Sequence, residues 1–410
     1  MKLDQQLIER FFRYLAISSQ SVATECTVPS SAGQWKMAEL LAEELRALGL
    51  QNVQIDSYAN VTALWKGTIA HATPIGFCAH MDTVDVSLSP DIKPQLKVFN
   101  GEDLLLNAQE NIWLKVAEHP EILAYKGQDI IFSDGTSVLG ADNKAAIANI
   151  MTALAYLKEN QVPTGDIYIA FVPDEEIGLR GAKLLDLNQF KPDFAYTIDC
   201  CELGEVVYEN FNAASAKIVI HGVSAHPMSA KGVLVNPILV AQDFIAQFDP
   251  NQTPEHTEHK EGYWWFNGME ANQSQATLHI AIRDFDKTSF EQRKGFIQQA
   301  VQRIQTRYPR ARIECTITDV YGNIANTLTE DRRSIDLLFE AMENIQVKAK
   351  VIPMRGGTDG AALSVKGITT PNYFTGAHNF HSNFEFLPVP SFVKSCELTL
   401  KLIELAARPK

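Results

Sequence analysis

Residues 139–176 read LGADNKAAIANIMTALAYLKENQVPTGDIYIAFVPDEE, and this stretch decides the fold class. Apolar side chains recur at helical spacing over residues 144–158, and a run of β-branched and aromatic residues follows at 167–172. A helix that leads into an apolar strand is typical of α/β sheets, in which functional groups collect outside the carboxyl ends of the strands. The three carboxylates at 174–176, directly after this strand, therefore indicate a functional site at the edge of a sheet.

The segments on both sides of this stretch continue the alternation of helices and strands. Helical patterns occupy residues 3–16, 34–48, 181–187, 332–342 and 391–407, and strand-like runs occupy 61–65, 75–79 and 350–352. This order predicts an α/β fold, with a mixed sheet covered by helices on both faces.

The middle of the chain has a different order of elements. After residue 210 the pattern is strand, helix, strand, helix, strand, at 216–221, 236–248, 276–283, 290–308 and 313–317. Such an order is typical of a self-contained α+β unit. We therefore expect one domain made of residues 1–210 and 323–410, with a smaller α+β domain, residues 211–322, inserted in it.

Composition excludes several classes of partner. The 410 residues carry a formal net charge of −13, which makes non-specific binding to nucleic acid or anionic lipid unfavourable. The six cysteines form no metal-binding or disulfide pattern, so reduced thiols are expected. The N-terminal segment is an amphipathic helix rather than a signal peptide, and no apolar run is long enough to span a membrane. A cytoplasmic protein is the expectation.

Candidate metal ligands stand where several predicted elements begin or end. They are His80, Asp142, the carboxylates at 174–176, Asp199 and, near the end of the chain, His381. Imidazole nitrogen mixed with carboxylate oxygen suits zinc or a similar divalent ion. Two histidines with three of these carboxylates are too many ligands for one such ion. They fit two ions that share a ligand, an arrangement that hydrolases use.

Each of these residues also has an ordinary structural interpretation. His80 is equally interpreted as a core histidine at a strand end, Asp142 as a helix N-cap, and residues 174–176 as an acidic loop. Three successive carboxylates after an apolar strand, however, raise one another's pKa values unless cations are near. Bound metal would remove that repulsion, and this favours the metal-site interpretation.

Taken together, the motifs resemble the peptidase T group, the tripeptide aminopeptidases. This group belongs to the co-catalytic zinc peptidase family, which also contains carboxypeptidase G and acetylornithine deacetylase. The stretches that carry the resemblance are His80-Met-Asp-Thr83, Leu139-Gly-Ala-Asp142, Pro173-Asp-Glu-Glu176, Tyr196-Thr-Ile-Asp199, Arg355-Gly-Gly-Thr-Asp-Gly360 and Asn379-Phe-His381. The resemblance implies a mixed-sheet catalytic domain with an inserted lid domain of the kind that often mediates dimerisation.

Roles follow from the resemblance residue by residue. Asp142 would bridge two zinc ions, one of which also binds His80 and Asp199. The second ion would bind Glu176 and His381. Asp82 is similar to the family's carboxylate that orients the imidazole of the first ligand, here that of His80. Glu175 resembles the general base, which takes a proton from a zinc-bridging water, leaving a bridging hydroxide, and gives that proton to the leaving amine.

The resemblance also extends to substrate binding in the inserted domain. His226 resembles the lid histidine that binds the scissile carbonyl oxygen, and Arg283 and Arg355 resemble arginines that bind a peptide's terminal carboxylate. Asn143 and the Cys200-Cys201-Glu202 stretch depart from the group's usual residues on the side where the substrate's amine would lie.

The predicted function is a metal-dependent aminopeptidase that acts on short peptides, releasing the N-terminal residue from tripeptides. Two other functions stay open. The same pair of ions could serve a dipeptidase or a deacylase of N-acyl amino acids. From a different class, the chain could be an inactive binding module that retains the fold.

Overall fold

The computed structural model describes residues 2–329 and 331–408. Its α-helices are α1 (Leu3–Leu15), α2 (Ala32–Leu48), α3 (Ala141–Asn160), α4 (Arg180–Leu184), α5 (Pro237–Ile245), α6 (Lys287–Arg307), α7 (Arg333–Asn344), α8 (Asp359–Val365) and α9 (Val389–Ala406). Its strands are β1 (Gln51–Ile55), β2 (Val61–Trp65), β3 (Ile75–His80), β4 (Gln95–Val98), β5 (Leu104–Asn107), β6 (Ile112–Leu114), β7 (Asp129–Phe132), β8 (Ile167–Val172), β9 (Phe194–Cys200), β10 (Glu205–Val207), β11 (Asn212–His221), β12 (Tyr263–Ala271), β13 (Gln275–Asp284), β14 (Arg312–Tyr321), β15 (Lys350–Val351), β16 (Asn372–Phe374) and β17 (Phe386–Pro388).

The chain folds into two compact units, and the first is assembled from separate stretches of sequence. The first unit comprises Met1–Tyr208, Thr327–Ile352 and Thr358–Lys410, and the second comprises Glu209–Asn326 and Pro353–Gly357. The chain thus leaves the first unit after Tyr208 and returns to it at Thr327.

An eight-stranded mixed sheet forms the centre of the first unit. The strand order is β1-β2-β8-β3-β9-β16-β10-β15, and β8, β3, β9 and β16 run parallel to one another. Strand β3 is buried at every position, as expected for a central parallel strand that is covered on both faces. The carboxyl ends of β8, β3 and β9 therefore meet at one edge of the sheet.

Helix α3 is a core helix of this unit. Nearly every residue from Ala141 to Leu157 is buried, and many of these residues are alanines. Small side chains allow neighbouring elements to approach the helix closely, and α1, α9, β3 and β9 all contact it. A helix that is buried on nearly all sides lies inside a domain, as α3 does here.

The second unit is built on a four-stranded antiparallel sheet. The strand order is β12-β13-β11-β14, and one face of the sheet packs against α5 and α6. Alternate residues of β11 and β13 supply the core, with Ile218 and Ile220 on β11 and Leu278 and Ile280 on β13. This period of two is the pattern of a sheet with one buried face.

The α/β fold class and the mixed sheet predicted from sequence are confirmed. The region between residues 84 and 135 was not predicted in detail. Its strands β4 and β7 pair with β17, from residues 386–388, in the sheet β17-β7-β4, and its strands β5 and β6 form a hairpin. Its strands are three or four residues long, too short for a periodic pattern to stand out. In the described residues, no helix has the length and apolar composition that crossing a membrane requires.

Candidate metal centre

The carboxyl ends of the central strands carry most of the predicted ligands. His80 is the last residue of β3, Asp199 lies near the end of β9, and Glu175 and Glu176 follow β8 after a two-residue turn. Asp142 lies in the first turn of α3, and His381 lies in the loop between β16 and β17. Residues more than 300 positions apart in sequence are thus brought to one edge of the sheet.

Asp142 is the common member of two groups of ligands. Its Oδ1 lies 2.9 Å from Nε2 of His80, and its Oδ2 lies 3.0 Å from Nε2 of His381. On the first side, Oδ1 of Asp199 lies 3.9 Å from the same His80 nitrogen. On the second side, Oε1 of Glu176 lies 3.0 Å from Nε2 of His381. One carboxylate therefore joins two triplets, each of which can hold a metal ion.

Asp82 connects His80 of the first triplet to the turn after β8. Nδ1 of His80 lies 3.0 Å from the main-chain oxygen of Asp82 and 3.3 Å from its Oδ1. A proton on Nδ1 leaves Nε2 of His80 available to a metal. The same carboxylate accepts the backbone N–H groups of Glu175 and Glu176 at 3.0 and 3.2 Å. Asp82 is fully buried, and its hydrogen bonds connect the end of β3 to the turn after β8.

Asp142 is not the N-cap of α3, a position that Gly140 occupies. The backbone of Asp142 has φ −80° and ψ 98°, which is not helical, and its side chain faces the two imidazoles. Gly140, with φ 75°, turns the chain just before it. Burial opposes ionisation of Asp142, but hydrogen bonds from His381 and His80 hold the pKa of its carboxyl far below its usual value.

The charges at this edge of the sheet fit bound cations. Burial raises the pKa values of Glu175 and Asp199 well above their usual range, and it raises that of Glu176 to about 7. Asp359, at the start of α8, is also buried, and its two carboxylate oxygens have no hydrogen-bond partner among the described residues. So many buried carboxylates beside only two imidazoles are stable as anions only if further positive charge is present. Two divalent ions would supply it.

His226, the predicted carbonyl-binding residue, belongs to the second unit. It is exposed, directly precedes a short 3₁₀ helix, and its Nδ1 accepts the backbone N–H of Met228 at 3.2 Å. A neutral imidazole whose Nδ1 accepts a hydrogen bond carries its proton on Nε2. His226 therefore has an Nε2–H group that can donate to an oxygen.

Arg283 and Arg355 also belong to the second unit, and both make contacts within it. Arg283 lies on β13, and its guanidinium donates to the main-chain oxygens of Ala214 and Ile282. The guanidinium of Arg355 stacks on aromatic rings and donates to the segment between residues 257 and 261. Part of the donor capacity of each arginine is thus used to hold the unit itself together.

Sequence reasoning missed Glu385, a buried carboxylate beside the site. Its Oε2 accepts the N–H groups of Leu139 and Gly140 at 2.8 and 2.9 Å, and its Oε1 accepts that of Asp142 at 3.3 Å. One signal could have revealed it, because Glu385 is the single charged residue in the apolar run FEFLPV at 384–389. A charge in such a run is buried with partners.

Comparisons with known proteins identify the family to which this chain belongs. Residues 140–405 match the model of peptidase family M20/M25/M40. The chain is 63% identical over 406 residues to the Peptidase T-like protein of Yersinia pestis, with 99% of each chain covered. It is 41% identical over 406 residues to the Peptidase T of a Geobacillus species (strain WCH70), covering 98% of this chain and 99% of that protein.

The chain belongs to peptidase family M20/M25/M40. Membership of this family makes the chain a peptide hydrolase and confirms the resemblance that the sequence motifs indicated. The crystal structure of aminopeptidase PepT from Bacillus cereus has the same fold, with a TM-score of 0.77, 22% sequence identity, and 99% of each chain covered.

Proposed function

We propose that this chain is a metal-dependent aminopeptidase that releases the N-terminal residue from tripeptides. The observation that supports it most directly is the position of Asp142, whose two oxygens face imidazoles from opposite ends of the sequence. A carboxylate with one oxygen in each of two metal-binding triplets is the arrangement that a bridging ligand requires.

The proposed ligands divide between the two triplets. The first ion would bind His80, Asp199 and one oxygen of Asp142, and the second would bind Glu176, His381 and the other oxygen of Asp142. The mixture of two imidazoles with three carboxylates favours zinc. When bound, such ions polarise the peptide carbonyl and lower the pKa of the attacking water.

Glu175 is the proposed general base and acid. Its neighbour Glu176 points to His381, and the Asp82 carboxylate fixes the backbone N–H groups of both glutamates. A carboxylate oxygen of Glu175 lies within 4.8 Å of ligand atoms of His80 and Glu176, so Glu175 is placed to take a proton from water held at the site while Glu176 serves as a ligand. Glu175 would then deliver that proton to the amine that leaves.

Residues of the second unit are proposed to bind the peptide. The Nε2–H of His226 would donate to the oxygen of the scissile carbonyl, where negative charge develops. Arg283 and Arg355 would bind the C-terminal carboxylate with the N–H groups that their contacts leave available. Binding a peptide at both ends would limit its length.

Length and amine dependence test the proposed function. The relative at 63% identity is named Peptidase T-like, and the relative at 41% identity is named Peptidase T. We expect rapid hydrolysis of Ala-Ala-Ala, and slow or no hydrolysis of N-acetyl-Ala-Ala-Ala and of the tetrapeptide. Equal rates for the acetylated peptide would favour a deacylase, and faster hydrolysis of Ala-Ala would favour a dipeptidase.

Location and assembly complete the proposal. All six cysteines are free thiols, which is consistent with a reducing compartment, and we expect a cytoplasmic enzyme. The inserted domain resembles domains that mediate dimerisation, so a homodimer is expected in sedimentation experiments on the purified protein.

A further inference from the structure

Glu385 connects the turn before α3 to the loop that carries His381. The hydrogen bonds from Leu139, Gly140 and Asp142 satisfy three N–H groups at the start of a long helix. Leu139 and Gly140 precede the helix and the backbone of Asp142 is not helical, so these three bonds fix the turn that leads into α3. A single carboxylate, 243 to 246 residues away in sequence, thus fixes the backbone that presents Asp142.

The carboxylate of Glu385 is buried, and hydrogen-bond donors must replace the water that it loses. Only 1% of the residue is exposed, and its hydrogen-bond partners in the described residues are backbone N–H groups. A buried carboxylate without a cation is costly unless several donors surround it. The backbone of the 139–142 turn and the carboxylate of Glu385 therefore hold each other in position.

The loop that carries both Glu385 and His381 is braced at its base. His378 and Phe386 exchange backbone hydrogen bonds at 2.9 and 3.2 Å, which closes the loop. The hydroxyl of Tyr125 lies 2.6 Å from Nε2 of His378, within hydrogen-bond distance. Glu121 accepts the side-chain N–H of Asn379 at 2.7 Å. The short helix Pro120–Tyr125 thus holds one end of the loop.

His381 itself lies in an unusual backbone conformation. It has φ 62°, and Asn379 has φ 58°, both in the left-handed region that residues other than glycine rarely adopt. Such conformations persist only where the surroundings determine them. His381 is also the most exposed of the candidate ligands, because its side chain is 46% exposed whereas that of His80 is 1% exposed.

The two triplets therefore differ in how they are supported. His80 and Asp199 lie on strands of the central sheet, whereas His381 lies on a loop that Glu385 joins to Asp142. We propose that Glu385 is a positioning residue that holds His381 and Asp142 in register and thereby controls retention of the second metal ion. This inference rests on the proposed function, because it assumes the two-ion site.

The test is metal binding rather than catalysis. Glu385→Gln keeps the size of the side chain but directs an N–H₂ group at backbone N–H donors. We expect the variant to bind the second ion about 10- to 100-fold more weakly, which is the usual effect of losing a partner that orients metal ligands. The affinity for the first ion should fall much less, because His80 and Asp199 lie on strands of the central sheet. Calorimetric titration of the metal-stripped full chain with Zn²⁺, and the absorption bands of a Co²⁺ titration, would measure both ions.

Glu205→Gln is a matched control. Oε2 of Glu205 accepts the N–H groups of Cys201 and Glu202 at 3.0 and 3.1 Å, so it holds the turn after Asp199 with the same kind of contact. This variant should leave the affinity for the second ion unchanged. If Glu385→Gln fails to fold, as judged by circular dichroism, Tyr125→Phe removes the brace at the other end of the loop and should also weaken the second ion selectively.

The outcomes separate this inference from the proposed function. Two ions bound to Glu385→Gln with wild-type affinities, or an equal loss of both ions, would overturn the positioning role. Selective loss of the second ion would support it. A wild-type chain that binds two ions but hydrolyses no peptide would overturn the proposed function and leave the role of Glu385 intact.

Discussion

At the scale of single residues, Asp82 and Glu385 each use one buried carboxylate to hold together parts of the chain that are far apart in sequence. His80, Asp142 and His381 could be singled out because their residue types and their positions at element ends suit metal binding. Glu385 was missed because its function depends on proximity to a turn about 245 positions earlier, which no local pattern encodes. Local sequence therefore indicates which groups can do chemistry, and the fold decides which groups hold them.

Glu175→Ala should abolish most of the activity without removing the metal. Loss of a positioned general base lowers kcat by roughly 10²- to 10⁴-fold, and Glu175 is outside the two triplets that Asp142 joins. Tripeptide turnover and metal content, measured on the same sample, check this. Glu176→Ala is the comparison variant and should lose the second ion. Loss of both ions from Glu175→Ala would show that this residue is a ligand.

At the scale of elements, long and strongly patterned segments were predicted well. The pattern at residues 290–308 indicated a helix that the structure extends to Lys287–Arg307, because Asp286 accepts the N–H of Ser289 and caps it. The run at 181–187 was predicted as a helix, but α4 spans only Arg180–Leu184. Strand β10 and strand β16 were missed, since runs of three residues depend on pairing with neighbours rather than on propensity.

Overpacking of α3 should destabilise the first unit. Ala148 is fully buried on this helix, and adding a larger side chain there would force neighbouring elements apart, at about 1–3 kcal/mol. Ala148→Leu should lower the free energy of unfolding in urea accordingly. Ala47→Leu on the exposed side of α2 makes the same chemical change and should have almost no effect. Equal stabilities of the two variants would contradict the tight packing around α3.

At the scale of the whole molecule, the proposed ions join parts of the chain that are far apart in sequence. Any ligand that binds only the folded state stabilises it, by about 2.7 kcal/mol at a free concentration 100 times its Kd. We expect a chelator to lower the melting temperature of the purified protein. The His381→Ala variant should show a smaller decrease, because it begins with one ion fewer. An unchanged melting temperature for a wild-type sample that has lost two ions would contradict the proposal.

The discontinuous first unit has a consequence for synthesis. Domains fold as units while the chain emerges from the ribosome, N-terminal parts first. Here the residues of the second unit, Glu209–Asn326, emerge while the first unit still lacks Thr327–Ile352 and the segment that bears His381. In the growing chain, His80, Asp142 and Glu176 are therefore synthesised well before His381, the last of the proposed ligands. We therefore expect truncated chains released before residue 381 to hydrolyse no peptide.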